Sequence, residues 1–424
     1  MKRAPPILAA DLLPLKQFDS VLGRRIIEIH RWAVREGLAG ASTEALFNGF
    51  CRRLVADGVK LWRGYAAMRT LHPQYSGYGF TWRRDHTGVT EEQFERGGLE
   101  EPGYQLSPVR QLLLRAGQGE VNPSMRRRLL AGPDQRDLPL FEEFYAAGAT
   151  DYYAQVFSFG SDGEEAKGVF FSFTGDGPDG FAEDNLIMLQ TALPALSLAI
   201  KSDSSQVIAS GLLSAYLGAD AGRRVHAGAV ERGSVESLHA VLWYADIRGF
   251  TGIADSEPGL TVVRLLDEVF ETLTAPLRQR GGQVLKFIGD AMLAVFPFDH
   301  DDPARVCRLA LEAAREALAA LDLMNSGREY TMLPAARVDF ALHLGEVLYG
   351  NIGAADRLDF TVIGPAVNEV ERIEKLCEPL GRSVLLSSAF ATAAGAGCGL
   401  VPLGRHPLRG VRETREIYGL VQER

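Results

Sequence analysis

Val241-Leu-Trp-Tyr-Ala-Asp-Ile-Arg-Gly-Phe-Thr251 and Lys286-Phe-Ile-Gly-Asp290 each deliver an aspartate at the end of an apolar run. Ala240 to Ala245 carries no charge, so it reads as a strand buried on both faces. Asp246 follows at once, and Gly249 permits a sharp turn behind it. The second run rises from Gly281-Gly282 through Val284, Leu285, Phe287 and Ile288, and Gly289-Asp290 turns it into Ala291-Met-Leu-Ala-Val-Phe296. That pattern predicts a tight hairpin with Asp290 at its tip. If the two strands are neighbours, both carboxylates emerge at one rim of one sheet. Adjacent carboxylates repel, and a divalent cation keeps both ionised. Hard oxygen ligands suit magnesium or manganese, which in turn suit a phosphate substrate.

Outward from this pair, a chain of 424 residues implies two or three domains, and its 46% apolar content supplies more than one core. A net charge of -9 argues against general nucleic-acid binding. The compact basic run Arg126-Arg127-Arg128 reads as a solvated helix end. The four cysteines, Cys51, Cys307, Cys377 and Cys398, show no metal spacing, and Met1-Lys-Arg-Ala-Pro-Pro lacks the apolar core of a secretory signal. Reduced thiols in a soluble, cytoplasmic protein are expected. The longest mostly apolar run, Ile187 to Ile200, falls short of the roughly 20 residues a bilayer span needs.

In chain order, Phe18, Val21, Leu22, Ile26 and Ile29 recur at helical spacing, and Ser42 or Thr43 caps a second helix reaching Val55. Tyr65 to Leu71 and Gly79 to Trp82 have strand character; His86 to Gln135 is weakly periodic. Tyr152 to Phe159 and Gly168 to Phe173 read as strands joined by a turn at Gly160 to Gly163. A helix from Phe181 to about Lys201 should kink at Pro194. After a polar break at Lys201 to Ser205, a second helix carries Val207, Ile208, Leu212, Leu213 and Leu217 and ends at Gly218 and Arg223-Arg224. Further on, helices are expected over Leu260 to Leu277, from Asp302-Pro303 to Leu321, and after Pro365. Val338 to His343 and Glu346 to Tyr349 are expected to form a hairpin through Gly345. Asp359 to Ile363, Val384 to Leu386 and Arg415 to Val421 complete the strands. The order β-α-β-β-α-β in this part is the ferredoxin-like pattern. The fold class is therefore α+β, with residues 1–204 as a first domain, 205–235 as a helical linker and 236–424 as a second domain.

The layout of residues 40 to 200 resembles sensor domains of the GAF type, which implies a regulatory domain for a small-molecule or protein signal. Trp62, Tyr78 and Trp82 either line its pocket or, as aromatics more often do, fill its core. The later motifs are more specific. Tyr244-Ala-Asp-Ile-Arg-Gly-Phe-Thr251, Lys286-Phe-Ile-Gly-Asp290 and Thr361-Val-Ile-Gly-Pro-Ala-Val-Asn-Glu-Val-Glu-Arg372 together resemble the class III nucleotidyl cyclases over about the last 190 residues.

That resemblance implies a catalytic domain in which Asp246, Asp290 and the carbonyl of Ile247 hold two divalent ions, Mg2+ or Mn2+. The backbone from Arg248 through Phe250 and Thr251 receives phosphate oxygens at a helix start. Asn368 and Arg372, four apart and so on one helix face, position the ribose and stabilise the reacting phosphate. Lys286 and Thr361 match the purine-reading positions. A lysine donor and a threonine acceptor complement N1 and N6 of adenine, and guanylate cyclases of the family usually carry glutamate at the lysine position. ATP is therefore favoured over GTP, in the threonine-bearing subgroup. Pro365 replaces a common aspartate or asparagine at a helix start. The family's late phosphate-binding lysine has no clean counterpart: Arg412, Arg409 and Arg357 are the candidates. His343 reads as a strand residue, with no second histidine placed to share a metal. One domain carrying both sets of residues implies a homodimer with two equivalent sites.

Overall fold

The computed structural model describes residues 20–96, 102–159, 168–298, 302–328 and 334–421. The chain divides between Leu212 and Leu213 into two units.

The first unit opens with α1 (Val21–Leu38) and α2 (Thr43–Ala56), whose first turns are capped by the hydroxyls of Ser20 and Ser42. β1 (Leu61–Arg69), β2 (Tyr75–Arg83) and β3 (Val89–Glu95) follow, then α3 (Pro102–Gln105), α4 (Pro108–Gly117), β4 (Ser124–Arg128), α5 (Pro139–Ala146), β5 (Asp151–Ser158), β6 (Gly168–Gly175) and α6 (Glu183–Leu217). The strands form one antiparallel sheet in the order β3-β2-β1-β6-β5-β4. Side chains alternate across it. Phe171 and Phe173 join Ile26, Phe47, Phe50 and Leu193 in one core, whereas Phe170 joins Leu112, Phe141 and Tyr152 in another. Trp82 and Tyr78 pack on the first core and Trp62 on the second, so the three aromatics do not line one pocket.

Two local expectations differ from the structure. Arg126 to Arg128 lie in β4 and are not a helix end. The buried Asp151 on β5 draws Arg126 in: it accepts from Arg126 Nη2 at 2.6 Å and from the Phe181 N–H at 2.9 Å, while Arg127 pairs with Asp137. The helix expected to stop near Lys201 runs on through Ser205 to Leu217 as α6. Polar residues alone do not break a helix, and Ser197 and Ser205 bond back to the carbonyls of Leu193 and Lys201. The break falls instead at Gly218, whose φ of 87° favours glycine. The turn expected at Gly160 to Gly163 lies outside the described residues.

The second unit contains α7 (Ala219–His226), β7 (Val235–Ile247), α8 (Phe250–Ser256), α9 (Gly259–Gln279), β8 (Gln283–Ile288), β9 (Ala291–Phe298), α10 (Pro303–Arg328), β10 (Val338–Gly353), β11 (Leu358–Ile363), α11 (Pro365–Glu374), α12 (Cys377–Leu380), β12 (Val384–Ser387), α13 (Ser388–Ala394), β13 (Leu400–His406) and β14 (Arg415–Leu420). The sheet order is β13-β14-β12-β10-β7-β9-β8, with β11 paired to β10. Its β10-β7-β9-β8 part is antiparallel throughout and, with α9 and α10, forms the ferredoxin-like βαββαβ unit. Val241, Trp243 and Ala245 of β7 pack against α9 and α10; Ala240, Leu242 and Tyr244 point to the opposite face, against α11.

Arg223 and Arg224, expected to end a helix, lie inside α7 and bind Asp220. Gly345 is no hairpin turn either. It sits mid-strand opposite Ala240, and a Cβ there would come within 2.6 Å of the Ala366 side chain, so the glycine admits α11 to the sheet. The hairpin instead joins β10 to β11. α13 and β13 were not expected from the sequence pattern. Among the described residues, no helix is long and apolar enough to cross a membrane. Cys51, Cys307 and Cys377 are buried free thiols, and Cys398 is a partly buried one.

Candidate active site

β7 ends at Asp246-Ile247, and Asp246 pairs across the ladder with Ala291, the residue after Asp290. The β8–β9 turn at Gly289-Asp290 therefore brings the two aspartates to one rim, with Gly289 in the left-handed region at φ 64°. Burial pushes the Asp246 carboxyl up to about 6, and the neighbouring Asp290 charge pushes the same way. Asp246 Oδ1 is buried with no hydrogen-bond partner. An orphaned carboxylate oxygen beside a second carboxylate is a donor set for a hard cation. Among the described residues no group of three or more His, Cys, Asp or Glu side chains is placed to hold a metal, so the fit rests on these two carboxylates and the local backbone.

Behind the pair, Arg248 turns back along the sheet. Its guanidinium grips both oxygens of Asp339, with Nε to Oδ2 at 2.8 Å, and Nη2 also donates to the Arg382 carbonyl at 2.8 Å. Asp339 is the direct cross-strand partner of Asp246. Glu374 on α11 is buried too, and burial, followed by the charges of Asp246 and Asp339, pushes its carboxyl up to about 8.

Lys286 stands on the edge strand β8, where its Nζ donates to Asp359 Oδ2 at 2.6 Å. Asp359 and Thr361 lie two apart on β11, hence on one face. Thr361 is 6% exposed, and its buried hydroxyl has no partner. The Lys286–Asp359 contact thus joins β8 to β11, the strand that carries Thr361, although β11 pairs in the sheet with β10 and β8 with β9. Phe250 and Thr251 begin the short α8, Thr251 exposed and Phe250 packed on the core.

On α11, Ala366, Val370 and Ile373 are buried against the sheet, leaving Asn368 exposed and Arg372 half-buried. The neighbouring glutamates are engaged elsewhere: Glu369 with Arg415 and Glu371 with Lys375. The Arg372 guanidinium lies against Gly410, Nη2 being 3.5 Å from where a Cβ would stand. Arg409 and Arg412 flank that glycine and are exposed, as is Arg357 at the β10–β11 turn. His343 is a buried strand residue of β10, with burial lowering its pKa.

Three groups at this site were not picked out from the sequence: Asp339, Asp359 and Glu374. Asp339 had a visible signal, a single charge inside the otherwise apolar run Val338 to Leu342. Asp359 and Glu374 had none, since each is an ordinary residue of an amphipathic element.

Residues 235–421 match the adenylate and guanylate cyclase catalytic domain family. The second unit thus contains a class III nucleotidyl cyclase catalytic domain. Among curated relatives, an adenylate cyclase of Anabaena cylindrica is 33% identical over 164 residues, 38% of this chain and 32% of that protein. Adenylate cyclase 1 of Rhizobium meliloti is 31% identical over 181 residues, 42% of this chain and 27% of that protein. The chain therefore spans about a third of the length of the curated relatives it matches. Among solved structures, a bacterial light-regulated adenylyl cyclase is 25% identical, covering 44% of this chain and 91% of that one with a TM-score of 0.39.

Proposed function

We propose that the chain is an adenylate cyclase, converting ATP to 3′,5′-cyclic AMP and pyrophosphate at sites formed between two copies of its second unit. The observation that carries this reading is the meeting of Asp246 and Asp290 at one rim, with an unpartnered Asp246 oxygen. Magnesium or manganese held there lowers the pKa of the ribose 3′-hydroxyl and offsets charge on the triphosphate. Asp246, Asp290 and the Ile247 carbonyl hold the cations. The turn at Phe250 and Thr251 receives phosphate oxygens. Asn368 orients the ribose, and Arg372, with Arg412 or Arg409 from the adjoining loop, binds the phosphate that changes charge during attack.

Base reading falls to Lys286 and Thr361. The buried Thr361 hydroxyl needs a partner, and an exocyclic amine supplies one. A homodimer follows from both residue sets lying in one domain, and large exposed apolar side chains support it: Phe287 and Ile288, next to Lys286 on β8, and Ile363 at the end of β11 are 51%, 47% and 44% exposed. The first unit, with its six-stranded sheet covered on both faces, is the regulatory domain of GAF-like layout.

One observation favours GTP as the second reading. Lys286 is paired with Asp359, so the base-reading edge offers a carboxylate acceptor as well as a donor, and guanine presents N1–H and N2 donors to such a group. The test is pyrophosphate release by the full chain with ATP or GTP, each with magnesium or manganese. Faster turnover of ATP supports the first reading and faster turnover of GTP replaces it. Nucleotide binding with no pyrophosphate released sinks both.

A further inference from the structure

Arg248 lies between the carbonyl of Ile247 and the turn glycine Gly249, yet its side chain leaves the rim. It makes a forked contact with Asp339 on β10 and a further bond to the Arg382 carbonyl before β12. Its own N–H bonds the Arg337 carbonyl at 2.8 Å. One residue therefore ties the turn after β7 to two neighbouring segments. Its partner is placed with equal consequence. Asp339 is 3% exposed and stands directly across the ladder from Asp246, on the same face of the sheet. Such neighbours have Cβ atoms about 5 Å apart. Glu374 adds a further buried carboxyl on that face. With Asp290, four acidic groups surround the rim, and Arg248 is the cation bonded to one of them.

We propose that Arg248 and Asp339 form a positioning pair: they hold the Asp246–Gly249 turn in the shape that takes a divalent cation, and they keep the Asp339 carboxylate from competing with Asp246 for it. The fork fixes two guanidinium nitrogens on two oxygens, so the turn cannot rotate without breaking both contacts. Freed from Arg248, the Asp339 carboxylate would repel Asp246 or displace it at the cation. Groups that orient ligands from behind act on metal affinity, typically about 10- to 100-fold. Neither side chain is assigned to the cation or the nucleotide.

This inference rests on assigning Asp246 and Asp290 to the cation, and the experiment separates the two. Manganese binding to the full chain is measured by electron paramagnetic resonance with α,β-methylene-ATP present, alongside melting curves without metal. Asp290→Asn tests the assignment: unchanged manganese affinity overturns it, and the positioning role with it. Arg248→Met combined with Asp339→Leu removes both charges without leaving either unpaired, a replacement that buried pairs often tolerate. The expected result is a melting temperature close to that of the unaltered chain and manganese binding weakened roughly 10-fold or more. Arg248→Lys keeps the charge, loses the fork, and is expected to recover part of that loss. Manganese affinity in the double variant within about twofold of the unaltered chain would overturn the proposal. If the double variant misfolds, Arg248→Lys decides alone: roughly threefold or greater weakening supports the pair, and unchanged affinity rejects it.

Discussion

The two units each bury an arginine–aspartate pair, and the pairs differ in what surrounds them. In the first unit Asp151 is wholly buried and its lone pairs are used by Arg126 and by the Phe181 N–H. Among the described residues, the buried side-chain polar atom left without a partner nearby is the Thr174 hydroxyl. In the second unit Asp339 is equally satisfied by Arg248, but the adjoining Asp246 keeps an oxygen without a partner. A buried ion pair with no unsatisfied carboxylate beside it fixes strands in place. The same pair beside an orphaned acceptor fixes a site. Burial of charge therefore does not mark function by itself; the unmet valence next to it does.

The largest effect that can break this contrast comes from removing the orphaned acceptor. Asp246→Ala and Asp290→Ala are each expected to lower cyclase turnover by at least about 10³-fold while the dimer persists in sedimentation. Mixing Asp246→Ala chains with Arg372→Ala chains is expected to restore a fraction of the activity, because one of the two shared sites then carries both intact residues. Retained turnover in either single variant removes the metal assignment, and failure of the mixture to recover removes the shared site.

Next in size is the counterpart in the first unit. Asp151→Ala leaves the half-buried Arg126 with only the Phe181 carbonyl and the exposed Glu183, a loss of up to about 3–5 kcal/mol. The first unit should melt earlier, with KM for ATP measured below that melting point unchanged. A shift in KM with no change in melting would show that the pair in the first unit is more than a strap. A smaller effect is expected from Lys286→Glu with Thr361→Cys, which exchanges donor for acceptor at the base edge. The ATP-to-GTP preference should move toward GTP by about 10- to 100-fold, as expected for one or two hydrogen bonds. Unchanged selectivity in the doubly substituted chain would reassign base reading to Asp359.

How much of this could be read from residues alone follows the same contrast. The βαββαβ part was legible because the centres of β7 and β9, Ala240 to Ala245 and Ala291 to Phe296, are charge-free runs and Gly281-Gly282 and Gly289-Asp290 punctuate β8, so period and punctuation agree there. Asp246 and Asp290 stood out as charges at the ends of such runs. The hairpin through Gly345 was misread because a glycine that admits a helix looks, in sequence, like one that turns a chain. The break in the long helix was misplaced for a related reason: Lys201 to Ser205 is polar yet stays helical, with Asp203 accepting from Thr43, while the true stop needs the positive φ of Gly218. Partners such as Asp339 for Arg248 and Asp359 for Lys286 depend on which strands become neighbours, and no local pattern encodes that.

The smallest expected effect is a slope against pH, and it isolates Glu374. Its carboxyl is pushed up to about 8 by burial and then by Asp246 and Asp339, against an ordinary value of 4.5. The folded chain therefore holds this proton more tightly than the unfolded chain between those values. The resulting stability is whole below about 4.5 and is lost as pH rises through about 8. Asp246 contributes with the same sign, but its window closes near 6. His343 has a lowered pKa and the opposite sign, and its contribution changes only below its ordinary 6.5. Between pH 6.5 and 8.5, without divalent cations, the decline in the melting temperature of the second unit should therefore carry the Glu374 signature. Glu374→Gln is expected to flatten that decline by several degrees, at about 2–4 °C per kcal/mol for a unit of this size. A decline as steep in the variant as in the unaltered chain would mean that Glu374 is already ionised at pH 6.5, and that the acidic face around Asp246 repels less than its burial implies.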